Sequence, residues 1–159
     1  MQKVLLITVA AGLAIGFLWP SASEPSPAPG AAARISGGEA PRETVLERSP
    51  AGHFYADVEV NGELVRFMVD TGATGIALTE ETAQRIGLPF SPQSYTELGM
   101  GAGGPIRGQN LMLDTVSLDG KMVRGLQGMV LEGGRMNLLG QVFLGQFSVE
   151  MRGGTMRIS

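Results

Sequence analysis

"FMVDTGATGIAL", residues 67 to 78, runs three large apolar residues into an aspartate, then turns small and glycine-rich before becoming apolar again. The pattern is that of a strand ending at Asp70, which projects from the turn that follows. An acid placed there loses hydration, and that is costly unless the group is partnered or used. Gly72 can take backbone angles closed to other residues and lets another segment pass close by. Thr71 adds a hydroxyl that can brace the turn from the side.

Upstream, Phe54, Ala56, Val58 and Val60 alternate with Tyr55, Asp57 and Glu59, a period of two that marks a strand with one buried face. Asn61-Gly62 then supplies a two-residue turn of the type I′ kind, the strongest short-range hairpin signal. The return strand runs from about Glu63 to Val69 and delivers Asp70. Downstream, Thr79 suits a helix N-cap, with Glu80 and Glu81 in the first turn, where the helix dipole favours acids. Gly87 fits the position just past the helix end and Pro89 blocks continuation, so a short helix is expected over 80–86.

Further on, four glycines fall in the six positions from 99 to 104, flanked by extended sequence. They predict a long hairpin with an open tip. Asp119-Gly120 and Gly153-Gly154 predict two more turns. Asp114 and Asp119 are expected at a strand end and a turn, and Met68, Met112, Met151 and Met156 at ordinary core and strand positions. The sum is short strands, glycine turns and one or two short helices, which is an all-β barrel or sandwich pattern.

Composition narrows the chemistry. The 159 residues allow one modest domain plus extra segments, and 43% hydrophobic residues allow a real core. The 24 glycines are about twice the usual share of roughly 7% and have no collagen-like period. A net charge of −3 with no basic run argues against nucleic acid as partner. There is no cysteine, so thiolate catalysis, disulfides and Cys-based metal sites are excluded. The one histidine, His53, would have to serve any Ser-His-Asp triad, and nothing near it supports one; it is expected at the surface.

Residues 4 to 19, "VLLITVAAGLAIGFLW", carry no charge, with Lys3 before them and Pro20 after. A basic start and an apolar run make an export signal. A retained anchor is the preferred reading, although these sixteen residues are slightly short of the about 17–25 that span a bilayer. A cleaved signal peptide, with "SAS" at 21 to 23 as exit, is the alternative. Pro, Ala, Ser and Gly dominate from Pro20 to Glu43, a composition that cannot bury enough surface to repay its ordering entropy. The expected organisation is an anchor over 1–20, a linker over 21–50 and a folded domain over 51–159, with the domain start falling between Thr44 and His53.

One carboxylate cannot serve as base and acid in the same step. Two carboxylates about 3 Å apart can, because they share one proton and titrate as a pair. The ionised member takes a proton from water and the protonated one gives a proton to a carbonyl oxygen. No nucleophilic side chain or metal is needed, which suits a chain without cysteine.

"FMVDTGATGIAL" resembles the active-site loop of retropepsin-like aspartic proteases. "LLGQVFL", residues 138 to 144, resembles the family's second signature, an apolar-apolar-Gly triplet followed by a short helix, and "GMGAGGP" lies between the two where the family has its flap. The resemblance covers roughly residues 51 to 159. It implies a single-lobed acid-protease barrel closed as a homodimer, acting on peptide substrates without a cofactor or metal. It implies that Asp70 is the catalytic aspartate, contributed by both subunits, within an active-site loop of Thr71, Gly72, Ala73 and Thr74. Thr71 would hydrogen-bond across the dimer axis and Gly72 would line the cleft. Met100, Gly101, Ala102, Gly103 and Gly104 would form the flap, and Leu138, Leu139 and Gly140 the scaffold behind the loop. The flap departs from the family's usual tips, so its substrate contacts are left unassigned, and Tyr95 lies too far before the tip to take the role of a pepsin-like flap tyrosine. With the export segment, the resemblance implies a bacterial, single-pass inner-membrane protein with its protease domain in the periplasm, or an exported one after cleavage.

Plainer alternatives stand beside this. Asp70 could be a turn aspartate capping its own backbone. The glycine stretch is followed by Pro105 and Ile106 rather than by the Lys-Ser/Thr and helix that a phosphate cradle needs. The domain as a whole could be an inactive peptide-binding or dimerisation module of the cell envelope.

Overall fold

The computed structural model describes residues 40–101 and 103–159. The anchor assigned to 1–20, most of the linker and Ala102 of the flap lie outside the described residues.

The hairpin that delivers Asp70 forms as the alternation dictates. β2 (Phe54–Val60) pairs antiparallel with β3 (Glu63–Val69) in unbroken register from Phe54↔Val69 to Val60↔Glu63. Ala56, Val58 and Val60 face inward while Asp57 and Glu59 are exposed. Asn61 and Gly62 both take positive φ, 52° and 88°, as a type I′ turn requires. The Asn61 side chain also accepts the Thr115 N–H at 3.0 Å, which ties the turn to the neighbouring strand.

β4 (Ile76–Thr79) leads directly into α1 (Glu80–Arg85). Thr79 caps the helix, its hydroxyl oxygen accepting the Thr82 N–H at 3.1 Å, and Gly87 follows the helix end at φ 69°. A 3₁₀ turn over Pro92–Ser94 precedes β5 (Thr96–Gly101), which pairs with the long β6 (Gly104–Leu118). β6 turns through Asp119 and Gly120 into β7 (Lys121–Leu131). β8 is only Leu138–Leu139, and α2 is Gln141–Leu144. The chain ends in the hairpin of β9 (Val149–Arg152) and β10 (Thr155–Ile158).

The larger sheet runs β2-β3-β8-β4-β7-β6-β5 and closes on itself where Glu59 and Val60 of β2 pair with Ser117 and Val116 of β6. Closure removes the free edges of the six strands it includes, and leaves β5 as a hairpin arm on β6. Phe67, Ile76, Leu78, Leu113, Leu139, Phe143 and Leu144 fill the interior. Each contributes about 1.5–3 kcal/mol by leaving water. The all-β barrel expected from the sequence is the architecture observed.

Two expectations need correction. The folded body begins at Thr44, the early end of the expected 44–53 window and ahead of the boundary at residue 51, because β1 (Thr44–Glu47) pairs with β10 from Thr44↔Ile158 to Glu47↔Thr155. Four residues beside a Pro/Gly-rich stretch carry too short a period to read as a strand alone. The buried Lys121 fastens it, its Nζ donating to the Arg42 carbonyl and to Thr44 Oγ1. The four methionines expected at strand positions all lie in strands, Met68 in β3, Met112 in β6, Met151 in β9 and Met156 in β10, and of these Met156 is fully buried. Met112 and Met151 are 60% and 54% exposed, on outward faces. Asp114 lies within β6 rather than at its end. His53 is exposed, as expected. No helix among the described residues is long and apolar enough to cross a membrane.

Candidate active site

Asp70 emerges one residue past β3. Val65, Phe67 and Val69 of that strand point into the core, so by the period of two Asp70 shares the outer face with Met68, and it is half-buried. The cost of an acid behind "FMV" is thereby reduced: the apolar residues are buried and the carboxylate is partly hydrated. Its Oδ1 accepts the Gly72 N–H at 2.9 Å, and its backbone carbonyl accepts the Ala73 N–H at 3.2 Å. Asp70 therefore does cap its own turn, and no hydrogen bond among the described residues engages Oδ2.

The loop is seated by β8 and α2. Leu138 and Leu139 slot between β3, to which they run parallel (Met68↔Leu138, Val69↔Leu139), and β4, to which they run antiparallel. The Asp70 N–H donates to the Leu139 carbonyl at 3.0 Å. The Gln141 and Val142 N–H groups donate to the Ala73 and Thr74 carbonyls, each at 2.8 Å. At Gly140 the fit is backbone against backbone: a Cβ would stand 2.3 Å from the Gly75 carbonyl oxygen and 2.4 Å from that of Ala73. Only glycine can occupy that crossing.

The structure thus brings Asp70 against Leu139, Ala73 against Gly140 and Gln141, Thr71 against Gln141, and Thr74 against Val142. Thr71, Gly72 and Thr74 are exposed. Two functional-looking amides escaped the sequence reading. Asn137, just before the apolar triplet, accepts the Thr79 N–H through Oδ1 at 2.9 Å and donates Nδ2 to the Arg66 carbonyl at 3.0 Å. Gln141, just after it, donates Nε2 to the Thr71 carbonyl at 2.8 Å. A short apolar strand bracketed by amides was the visible signal.

The expected flap is the β5–β6 hairpin, with Met100↔Pro105 and Gly101↔Gly104 paired across the tip. Met100 is 51% exposed, and Ile106 Cδ1 packs over Gly101, 2.9 Å from where a Cβ would sit. The base of the hairpin is pinned. Tyr95 is buried and its hydroxyl donates to Glu80 Oε1 at 2.6 Å. Burial first, and the Glu80 carboxylate second, push the Tyr95 phenol up to about 12. The Arg107 guanidinium donates to the Tyr95 carbonyl at 3.2 Å and pairs with Glu132 at 3.1 Å. Tyr95 thus anchors the β5–β6 hairpin at its root, away from its tip.

Two surface hollows lie away from residues 70–74. One of about 510 Å³ lies between α1 and residues 134–137, and one of about 320 Å³ beside Arg42, Asp57, Glu59 and Asp119. Among the described residues no three His, Cys, Asp or Glu side chains gather to hold a metal ion.

A family model described as aspartyl protease matches residues 56–146. An uncharacterized protein of Rickettsia prowazekii is 37% identical over 106 residues, covering 66% of this chain and 46% of that protein. An uncharacterized Sinorhizobium protein, encoded in the cobV 5′ region, is 33% identical over 133 residues, covering 82% of this chain and 57% of its own length. The chain spans about half the length of these curated relatives. Among solved structures, a retropepsin-like aspartic protease from Rickettsia conorii superposes with a TM-score of 0.63 at 30% identity, covering 74% of this chain and 90% of that one.

Proposed function

The chain belongs to the aspartyl protease family, in its retropepsin-like form, and from that premise we propose that it is an aspartic endopeptidase whose active site is assembled from two copies of the chain. The observation that carries this is Asp70 at the tip of a rigidly seated Asp-Thr-Gly loop, present once in the sequence and open to solvent on its outer side. A C2 dimer places the same loop from each subunit at the axis. The two Asp70 carboxylates then share one proton. The ionised one removes a proton from water, the resulting hydroxide adds to the scissile carbonyl carbon, and the protonated one delivers its proton to the carbonyl oxygen. The tetrahedral intermediate collapses as the C–N bond breaks and the departing nitrogen receives a proton. No cofactor takes part.

Substrate in an extended conformation suits the geometry, since the β5–β6 hairpin can cover a strand-like peptide and offer it backbone partners. Residues 4 to 19 support a membrane tether with the protease domain on the periplasmic side, and shared tethering raises the local concentration of subunits. The test is subunit mixing. Asp70→Asn should abolish cleavage of an unstructured protein substrate, and titrating excess Asp70→Asn subunits into wild type should extinguish activity as mixed dimers form. Residual activity that simply tracks the wild-type fraction would point to a site within one chain.

A further inference from the structure

A single peptide unit of the Asp-Thr-Gly loop is held from both ends. Its carbonyl, on Thr71, accepts from Gln141 Nε2 at 2.8 Å. Its N–H, on Gly72, donates to Asp70 Oδ1 at 2.9 Å. Hydrogen bonds linked through one amide polarise each other: a donor at the carbonyl oxygen draws charge from nitrogen and strengthens the N–H as a donor. Gln141 is itself well placed to act as the fixed end. Its own N–H donates to the Ala73 carbonyl at 2.8 Å, and its carbonyl accepts the Gly145 N–H at 2.8 Å.

We propose that Gln141 is a positioning residue for Asp70, acting through the Thr71–Gly72 peptide: its side-chain amide fixes that peptide plane, and the plane fixes the Asp70 carboxylate by its Oδ1. With Oδ1 tethered, Oδ2 is the oxygen presented for the reaction, and the carboxylate does not rotate between the two. The side chain is not needed to seat α2. The Gln141 and Val142 N–H groups do that through the carbonyls of Ala73 and Thr74. The kinetic consequence rests on the aspartic-peptidase reading above, whereas the hydrogen-bond relay rests on the loop geometry.

Two variants separate the possibilities. Gln141→Met keeps the length and removes the donor. Gln141→Glu keeps the shape and turns an acceptor toward the Thr71 carbonyl. In the ¹⁵N-labelled full-length protein, the Gly72 amide proton should move upfield in both variants as its hydrogen bond weakens, with amides of β2 and β6 in place. With a peptide substrate, kcat should fall about 3- to 10-fold while KM stays within about twofold, since the group lost acts on orientation and is worth one ordinary hydrogen bond. A Gly72 resonance that stays put in both variants overturns the proposal, as does an unchanged kcat in an active enzyme. If the wild-type protein cleaves nothing, the peptidase reading fails, and the Gly72 resonance still decides whether Gln141 governs the loop.

Discussion

Asp70 Oδ1 accepts the Gly72 N–H at 2.9 Å, so the carboxylate of the Asp-Thr-Gly loop also closes the turn it sits on. Two substitutions therefore part company. Asp70→Asn keeps an oxygen where Oδ1 lies and should melt within a degree or two of wild type. Asp70→Ala leaves the Gly72 N–H without that partner and should lose about 0.5–1.5 kcal/mol. Both should lack peptidase activity. Denaturant unfolding of the pair checks this, and equal losses of stability would mean that the turn does not depend on the side-chain oxygen.

Gly140 is the tightest crossing in the site, with the carbonyl oxygens of Ala73 and Gly75 both within 2.4 Å of where its Cβ would stand. Gly140→Ala forces backbone, not a flexible side-chain end, to give way. The expected cost is at least about 1–3 kcal/mol, the ordinary range for overpacking. The loop must shift to absorb it, so activity should fall further than stability alone explains. Comparing Tm with kcat/KM for this variant tests the point: a protein that melts normally and cleaves normally would show that the crossing has slack.

Lys121 is buried, and burial lowers its pKa, while the Asp119 carboxylate opposes that shift. Its Nζ donates to the Arg42 carbonyl and Thr44 Oγ1, and the Thr44 hydroxyl in turn donates a hydrogen bond to Asp119 Oδ2 at 2.6 Å. Lys121→Met removes a donor that ties the start of β1 to the β6–β7 turn. Amide exchange over 44–47 should quicken well before that of the barrel strands. Uniformly unchanged protection would place the holding force in the β1–β10 ladder alone.

What was legible in the sequence was local. The β2–β3 hairpin follows from a period of two and Asn61-Gly62, and α1 from Thr79 and Gly87, because in each case the determining groups lie within a few residues of one another. β8 was visible only as an apolar triplet. Its pairing with both β3 and β4, and the need for glycine at 140, arise from segments some 60 to 70 residues away in sequence, which no local period encodes. β1 was missed for the same reason: Thr44–Glu47 becomes a strand because β10 offers an edge and Lys121 a donor. Met112 and Met151 do lie in strands, but strand position fixes the period and not which face is covered, so their exposure was not legible. Within the site, Asp70 stood out by residue type and context, whereas Gln141 did not, since an amide at a helix start is unremarkable until its partner is known.

The root of the β5–β6 hairpin carries a pH signature. Tyr95 OH donates to Glu80 at 2.6 Å, and its pKa is raised to about 12, first by burial and then by that carboxylate. The folded protein therefore holds the phenolic proton more tightly than the unfolded chain, whose tyrosines titrate near 10. The contribution is fully present below pH 10. It declines as the unfolded chain begins to release its proton, and is gone once pH passes the folded value near 12. Tyr95→Phe lacks it at every pH and leaves Glu80 without its donor. The stability gap between wild type and Tyr95→Phe should thus be widest at neutral pH and should shrink between pH 10 and 12. Urea midpoints of the two proteins across that range measure the gap. Because Tyr95 ties the root of the β5–β6 hairpin to α1, Tyr95→Phe should also raise KM for peptide more than it lowers kcat. A gap that stays constant with pH would mean that the phenol and Glu80 are not coupled in the folded protein.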